Sequence, residues 1–206
     1  MSITFQQLYT ANQNAGWMAQ PFQGFVLDSR KVQAGQIFIA LTSLSQPEKT
    51  VQFAQIALDK GALAVVSETV LGLENCIVVP NVRHLMGGWQ KQYLLASSQV
   101  QPARILAVTG TNGKTTISRL VAELLMLQGQ SCAVMGTTGN GILPNLEASS
   151  HTTLDALHLQ NALHSYAKQG AEFASIEASS HGLEQGRLAG SDIEIAAYSN
   201  FNLTAC

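Results

Sequence analysis

The chain has 206 residues, of which 46% are hydrophobic and 12% charged, and its formal net charge is −2. This composition excludes intrinsic disorder, and the lack of a basic excess argues against nucleic acid or an anionic membrane as a partner. The N-terminus lacks a signal-peptide pattern, no apolar run is long enough to span a membrane, and the three cysteines are far apart. We therefore expect a cytoplasmic protein without disulfide bonds and with inert thiols.

The first 96 residues are predicted to form a small α/β domain. Segments 24–27 and 36–41 have strand patterns, and the spacing of Phe53, Ile56 and Ala57 predicts a helix that ends at Gly61. Further apolar runs follow at 62–66 and 76–79. A small, polar stretch at 96–103 then separates this domain from a second one, 103–206.

The second domain alternates strand and helix patterns. Strands are predicted at 104–108, 132–135, 173–176 and 193–197. The first helix is predicted to bury one face, formed by Ile117, Leu120, Val121, Leu124 and Leu125. The second is predicted to begin at a capping-box-like Thr152–Asp155 and to end at Gly170. This alternation predicts an α/β fold with a mostly parallel sheet, flanking helices and ligands at the carboxyl ends of the strands.

A glycine-rich loop lies between the first strand and the first helix of this domain. Its backbone N–H groups and the helix dipole would bind phosphate, Lys114 would reach the β- and γ-phosphates, and the Thr115 hydroxyl would bind Mg²⁺. The loop differs from the strict P-loop spelling only in having Val108 where that spelling has glycine. The nucleotide site is predicted to consist of Gly110, Thr111, Asn112, Gly113, Lys114, Thr115 and Thr116.

Four motifs in order resemble those of the Mur ligases of the MurE type. They are the variant loop Gly-Thr-Asn-Gly-Lys-Thr-Thr, a glycine loop at 136–141, the paired threonines at 152–153, and Glu-Ala-Ser-Ser-His-Gly-Leu at 177–183. Segment 27–30, Leu-Asp-Ser-Arg, resembles the uridine-binding segment of that family. The resemblance implies ATP and Mg²⁺ as cofactors and a UDP-substrate-binding domain at 1–96. It also implies an ATP-dependent ligase of peptidoglycan precursor synthesis, which adds meso-diaminopimelate or L-lysine to UDP-MurNAc-L-Ala-D-Glu through an acyl phosphate.

The resemblance also implies roles for individual residues. Lys114, Glu177 and His181 are expected to be catalytic, and Thr115, Glu177 and His181 to hold metal. The expected substrate contacts are Leu27, Ser29, His151, Thr152, Thr153, Ser179, Gln185 and Arg187. This set fits the chemistry, because a carboxylate and a γ-phosphate repel each other unless metal and cationic groups clamp them. His84, His158 and His164 match no motif and are predicted to be surface or helix-face residues.

The chain departs from the family pattern at several places. His151 replaces a common asparagine, Leu154 replaces proline or glycine, and 42–46 lacks a glycine-rich spelling. After 199–204 the expected Arg-Asp-His, a metal-binding lysine and the amino-acid-binding domain do not follow, so we expect a truncated sheet and no ligation by these residues alone. Alternatives are another Mur ligase, a folylpolyglutamate synthetase, or a nucleotide-binding module without catalysis. The expected partners are small molecules, and the expected state is a monomer.

Overall fold

The computed structural model describes residues 3–10, 15–42, 46–149 and 152–200. It divides the chain into two compact units, Met1–Ser98 and Gln99–Cys206. Each unit is α/β with a largely parallel sheet and flanking helices, so the predicted fold class is confirmed. Among the described residues, none of the helices combines the length and apolarity needed to cross a membrane.

The first unit is built on a four-stranded parallel sheet in the order β1-β2-β3-β4. Its strands are β1 (Phe25–Val26), β2 (Ile37–Ala40), β3 (Ala64–Ser67) and β4 (Cys76–Val78), and its helices are α1 (Phe5–Leu8), α2 (Pro47–Asp59) and α3 (Val82–Ser98). One apolar cluster contains Phe38 and Val65 of the sheet together with Ala54 and Ala57 of α2. Aromatic rings from α1, β1 and α3 form another cluster around Phe5.

Helix α2 is present as predicted and contains Phe53, Ile56 and Ala57, but of these three only Ala57 is buried. Ala54 and Ala57 are fully buried, whereas Phe53 and Ile56 are 48% and 40% exposed. Alanine lets the helix backbone approach the sheet closely, and the larger side chains of Phe53 and Ile56 lie at the margin of this contact. Helix α3 was not predicted at all.

The second unit has a five-stranded sheet in the order β7-β6-β8-β5-β9. Its strands are β5 (Arg104–Thr109), β6 (Cys132–Gly136), β7 (Gly139–Ile142), β8 (Phe173–Glu177) and β9 (Ile193–Tyr198). All neighbours are parallel except the β6–β7 hairpin, which the sequence analysis missed. The carboxyl ends of β5, β6 and β8 therefore meet at one edge of the sheet. Every residue of the outer strand β9 is exposed.

Helices α4 (Lys114–Leu127) and α5 (Ala156–Lys168) join the strands, and a short helix α6 (Ser180–Glu184) follows β8. The predicted buried face of α4 is wrong in part: Ser118 and Ala122 are fully buried, whereas Leu120 and Leu124 are 51% and 58% exposed. Val121 and Leu125 pack partly against the core. The small residues bring α4 close to the sheet, as in α2.

Helix α5 corrects the predicted cap and places His164 on a helix face, one of the two predicted settings. Its cap is not a Thr152 capping box, because Asp155 is itself the N-cap and accepts hydrogen bonds from the backbone N–H groups of Leu157 and His158. His164 lies on this helix as predicted, but it is 5% exposed and so is not a surface residue. Burial lowers the pKa of His164, with a further contribution from the charge of Lys168.

Candidate functional site

The glycine-rich loop connects the carboxyl end of β5 to the first turn of α4, as the phosphate-site prediction requires. Gly113 caps α4 in the left-handed conformation with φ +84, and Gly110 has φ +132. A β-carbon on Gly110 would lie 2.1 Å from Ser199 Oγ and 2.9 Å from the Asn200 carbonyl oxygen. The backbone conformation therefore favours glycine at both positions, and at Gly110 the lack of space for a β-carbon favours it as well. Val108 is 2% exposed in the core of β5.

Ser199 and Asn200, just after β9, hold the loop through a set of contacts that the sequence analysis did not predict. Asn200 Nδ2 donates to the Asn112 carbonyl at 3.0 Å, and Asn112 N–H donates to Asn200 Oδ1 at 3.1 Å. Ser199 Oγ donates to the same Asn112 carbonyl at 2.7 Å, and Thr111 N–H donates to the Asn200 carbonyl at 3.1 Å. The loop conformation is thus fixed by residues almost 90 positions away in the chain.

Lys114 is the cation of the loop, and its ammonium lies over the loop itself. Nζ donates to the carbonyl oxygens of Gly110 at 2.6 Å and Thr111 at 3.1 Å. Thr116, the last residue of the predicted site, is exposed on the first turn of α4. The seven predicted nucleotide residues are therefore contiguous around a helix N-terminus, which favours anions.

Glu177 is the acidic centre of this sheet edge. It ends β8, its side chain is 1% exposed, and its Oε2 accepts a hydrogen bond from Thr115 Oγ1 at 2.9 Å. Thr137, in the β6–β7 turn, donates twice: its N–H to Oε1 at 2.9 Å and its hydroxyl to Oε2 at 2.9 Å. A buried carboxylate needs such donors, and here Oε1 accepts one hydrogen bond and Oε2 accepts two.

Gly136 supplies the space for this carboxylate. A β-carbon there would lie 2.0 Å from Glu177 Oε1 and 2.7 Å from Glu177 Cγ. The backbone of β6 therefore lies so close to the Glu177 side chain that only glycine fits at position 136. Neither Gly136 nor Thr137 was predicted to act at the site; the only signal in the sequence was the glycine loop at 136–141.

The predicted substrate residues of this unit form a connected group next to Glu177. Thr153 Oγ1 lies 2.8 Å from the Glu177 carbonyl oxygen, to which it donates, and 3.0 Å from Ser179 Oγ. Arg187 donates from Nε and Nη2 to Gln185 Oε1 at 2.9 and 2.8 Å and from Nη1 to the Thr153 carbonyl. Thr153, Ser179, Gln185 and Arg187 are thus brought together. Thr152 is half-buried beside them, and His151 lies outside the described residues.

His181 lies on α6 with its side chain 70% exposed. Gln185 Nε2 lies 2.7 Å from His181 Nε2, and the amide donates to the ring nitrogen. Glu184 Oε2 is 3.9 Å from Nδ1. In the described part of the chain His181 makes no hydrogen bond to Glu177, and no group of three or more His, Cys, Asp or Glu side chains is placed to hold a metal. A role of His181 towards metal stays a prediction.

The predicted uridine residues lie in the first unit. Leu27 lines a cavity of about 230 Å³ together with Phe38, Leu41, Thr50 and Phe53, among others. Ser29 is 5% exposed in a short 3-10 helix and is not among the lining residues. The hydrogen bond from the Arg30 side chain lowers the pKa of Asp28 to about 2, and the Arg30 backbone N–H and the Arg30 charge contribute further. Asp28 is therefore ionised and caps this helix.

Comparison with known proteins identifies a domain of the chain. Residues 108–203 match the model of the Mur ligase middle domain, which covers the glycine-rich loop, Glu177 and the substrate group. The chain contains a Mur ligase middle domain. It is 41% identical over 183 residues to the UDP-N-acetylmuramoyl-L-alanyl-D-glutamate–2,6-diaminopimelate ligase of Haemophilus influenzae strain 86-028NP, an alignment that covers 85% of this chain and 37% of that protein.

Solved Mur ligase structures have the same fold. A structure of a UDP-N-acetylmuramoyl-L-alanyl-D-glutamate–2,6-diaminopimelate ligase is 67% identical, with a TM-score of 0.94, and the match covers 98% of this chain and 41% of that one. The MurF ligase of Thermotoga maritima, solved in complex with ADP, is 20% identical with a TM-score of 0.54, over 86% of this chain and 37% of that one. The second likeness shows the fold alone. The chain spans 37% of the length of the curated Mur ligases it matches.

Proposed function

We propose that the chain binds MgATP and a UDP-muramoyl dipeptide as the donor part of an ATP-dependent amide-bond ligase of peptidoglycan precursor synthesis. The observation that carries this proposal is the glycine-rich loop at the start of α4, with the Thr115 hydroxyl hydrogen-bonded to the buried Glu177. A helix N-terminus, a lysine, a hydroxyl and a carboxylate are the groups that a magnesium nucleotide requires.

The triphosphate is proposed to lie along the loop. Lys114 Nζ donates to two neutral carbonyl oxygens of the loop, and phosphate oxygens are stronger acceptors because they are charged. We therefore expect the ammonium to turn from these carbonyls to the β- and γ-phosphates. Within the loop 110–116 the nucleotide would be positioned by this one cation and by backbone N–H groups other than those of Thr111 and Asn112, which donate to Asn200.

The residues present fit Mg²⁺. This ion takes one or two carboxylates and completes its shell with substrate phosphates and water, so it does not need a cluster of acids. The Thr115 hydroxyl and the Glu177 carboxylate, 2.9 Å apart, are the proposed holders. When bound, Mg²⁺ supplies positive charge that neutralises the transferring phosphoryl group.

The muramoyl peptide is proposed to lie beside Glu177. Arg187 is fixed by its hydrogen bonds to Gln185 and Thr153, so its guanidinium is oriented before substrate arrives. A cation held in this way suits a carboxylate of the peptide. Lys114 would hold the γ-phosphate while the Arg187 group holds the peptide, so that the accepting carboxylate can take the γ-phosphoryl group as an acyl phosphate and ADP leaves. Attack of an amine on this acyl phosphate would then form the amide and release inorganic phosphate.

The uridine is proposed to bind in the first unit, at the cavity lined by Leu27. Phe53, at its rim, is 48% exposed and offers a ring to a nucleobase. Ser29 stays a prediction as a contact, because it is buried and does not line that cavity. As the incoming amino acid we favour 2,6-diaminopimelate over L-lysine, because the similar proteins carry that name. The predicted monomeric state and cytoplasmic location stay predictions.

The test is calorimetric titration of the chain with MgATP and then with UDP-MurNAc-L-Ala-D-Glu. Lys114→Ala should weaken MgATP binding by at least about tenfold, because it removes the only side-chain cation of the loop. Lys49→Ala, an exposed lysine on α2, is the control and should change nothing. Unchanged MgATP affinity in Lys114→Ala would overturn the nucleotide site.

A second measurement separates the ligase from a nucleotide-binding module without catalysis. The chain loaded with MgATP is titrated with UDP-MurNAc-L-Ala-D-Glu and, as a control, with UDP alone. Saturable binding that depends on the muramoyl dipeptide favours the donor part of a ligase, and binding of MgATP without any binding of the dipeptide substrate favours the module.

A further inference from the structure

Three hydrogen bonds fix the Glu177 carboxylate, and two of them come from Thr137. Thr137 N–H donates to Oε1 and its hydroxyl to Oε2, while Thr115 supplies the third bond, also to Oε2. Glu177 Oε2 is thus placed between two threonine hydroxyls, one from the first turn of α4 and one from the β6–β7 turn.

The β6–β7 turn is itself held rigidly. Gly136 pairs with Gly139 in the antiparallel register, and Gly136 N–H donates to Asn140 Oδ1 at 3.1 Å. Because Gly136 lies directly against the carboxylate, the turn cannot move towards Glu177, and Thr137 keeps a fixed position relative to it. A rigid turn with two donors to one carboxylate is the arrangement that selects a single side-chain orientation.

We propose that Thr137 is a positioning residue for the magnesium nucleotide: it keeps the Glu177 carboxylate facing the Thr115 hydroxyl. This inference rests on the proposed nucleotide site. Thr115 would itself hold the metal, whereas Thr137 would not, so the Thr137 bonds would orient the acid independently of the metal. Thr137 acts through Glu177 and does not itself touch the nucleotide.

A positioning role of Thr137 would affect the Mg²⁺ dependence of nucleotide binding, which a purely structural turn residue would not change. Loss of the hydroxyl should change the metal dependence of nucleotide binding, because Glu177 serves the metal, and should leave binding without metal unchanged. Removing a group that orients a metal ligand lowers metal affinity by about 10- to 100-fold. The backbone N–H bond to Oε1 is retained in a side-chain variant, so the lower end of this range is expected.

The experiment uses the whole chain and four proteins: wild type, Thr137→Val, Thr137→Ser and Thr138→Val. Valine keeps the shape of threonine and removes the hydroxyl, and serine restores the hydroxyl. Thr138 is the matched control because it is the other residue of the same turn and its side chain makes no hydrogen bond with the described residues. ATP affinity is measured by calorimetry over a series of Mg²⁺ concentrations and in EDTA.

We expect Thr137→Val to need about tenfold more Mg²⁺ for half of the metal-dependent gain in ATP affinity. Thr137→Ser and Thr138→Val should follow the wild type, and all four should agree in EDTA. If Thr137→Val has the wild-type Mg²⁺ dependence, the inference is wrong while the nucleotide site stands. If Thr137→Val loses binding equally with and without Mg²⁺, its role is structural and the inference is also wrong. A wild-type chain that binds no ATP overturns the proposed function together with the inference.

Discussion

Replacing Gly136 by alanine should destabilise the second unit through one identifiable clash. The new β-carbon would lie 2.0 Å from Glu177 Oε1, whereas ordinary contacts begin at 3.4 Å. The carboxylate oxygen must retreat by about 1.4 Å to reach an ordinary contact, which breaks its hydrogen bond with Thr137 N–H. Each hydrogen bond to a charged group contributes about 1.5–3 kcal/mol, so the free energy of unfolding should fall by about 2–4 kcal/mol.

The positions of the two tryptophans allow unfolding of the first unit to be measured separately from that of the whole chain. Both tryptophans, Trp17 and Trp89, belong to the first unit, so their fluorescence reports that unit, whereas circular dichroism reports both. Gly136→Ala should move the urea midpoint in circular dichroism and leave the fluorescence midpoint unchanged. Gly16→Ala is the control, because nothing lies within 4 Å of the added carbon and its φ is not positive.

A double-mutant cycle isolates the contact. In a Glu177→Ala background the obstructing carboxylate is absent, so Gly136→Ala should cost less than about 0.5 kcal/mol. The reasoning is refuted if the full penalty persists in that background, or if Gly136→Ala unfolds at the same urea concentration as the wild type.

Three further predictions concern other parts of the second unit. Asp155→Ala should lower the free energy of unfolding by about 1 kcal/mol at pH 7, since it removes the α5 cap. Burial raises the pKa of Asp155, but hydrogen bonds from His158 and from the backbone outweigh burial and lower the pKa below its usual 3.8. The stabilisation by the Asp155 cap is therefore present above pH 3.8 and is lost as the pH falls through the lower pKa of the folded state. Urea titrations in acid should thus show no difference between the variant and the wild type. Asn200→Ala should weaken MgATP binding by about fivefold in calorimetry, because it releases Asn112; tighter binding would mean instead that this contact competes with phosphate. Burial raises the pKa of the Cys132 thiol to about 11, so it should react with Ellman's reagent at pH 8 only after unfolding; rapid reaction of the native chain at this residue would contradict the burial.

The sequence predicted most of the second unit because its signals are local. An apolar strand, a glycine turn and a helical pattern follow one another within 104–125, and the backbone N–H groups of such a turn predict a phosphate site. The strand–helix alternation also predicted a parallel sheet, which the structure and the comparison confirm. The family resemblance came from short motifs in order, and the match at 108–203 confirms it.

Helix faces were predicted less well, for a physical reason. Apolar periodicity identifies large side chains, but the buried faces of α2 and α4 contain small residues such as Ala54, Ser118 and Ala122. Small residues carry little hydrophobic signal in a sequence, although they allow the closest packing against a sheet.

What the sequence by itself determined is therefore the α/β class and the resemblance to the Mur ligases, and it predicted the groups that would bind phosphate. Only the tertiary structure decided how those groups are held. Gly136 and Thr137 meet Glu177 across about 40 positions, and Asn200 reaches Asn112 across 88. Such pairings depend on strand order, which brings the carboxyl ends of β6, β8 and β5 together, and no local pattern of residues encodes that proximity.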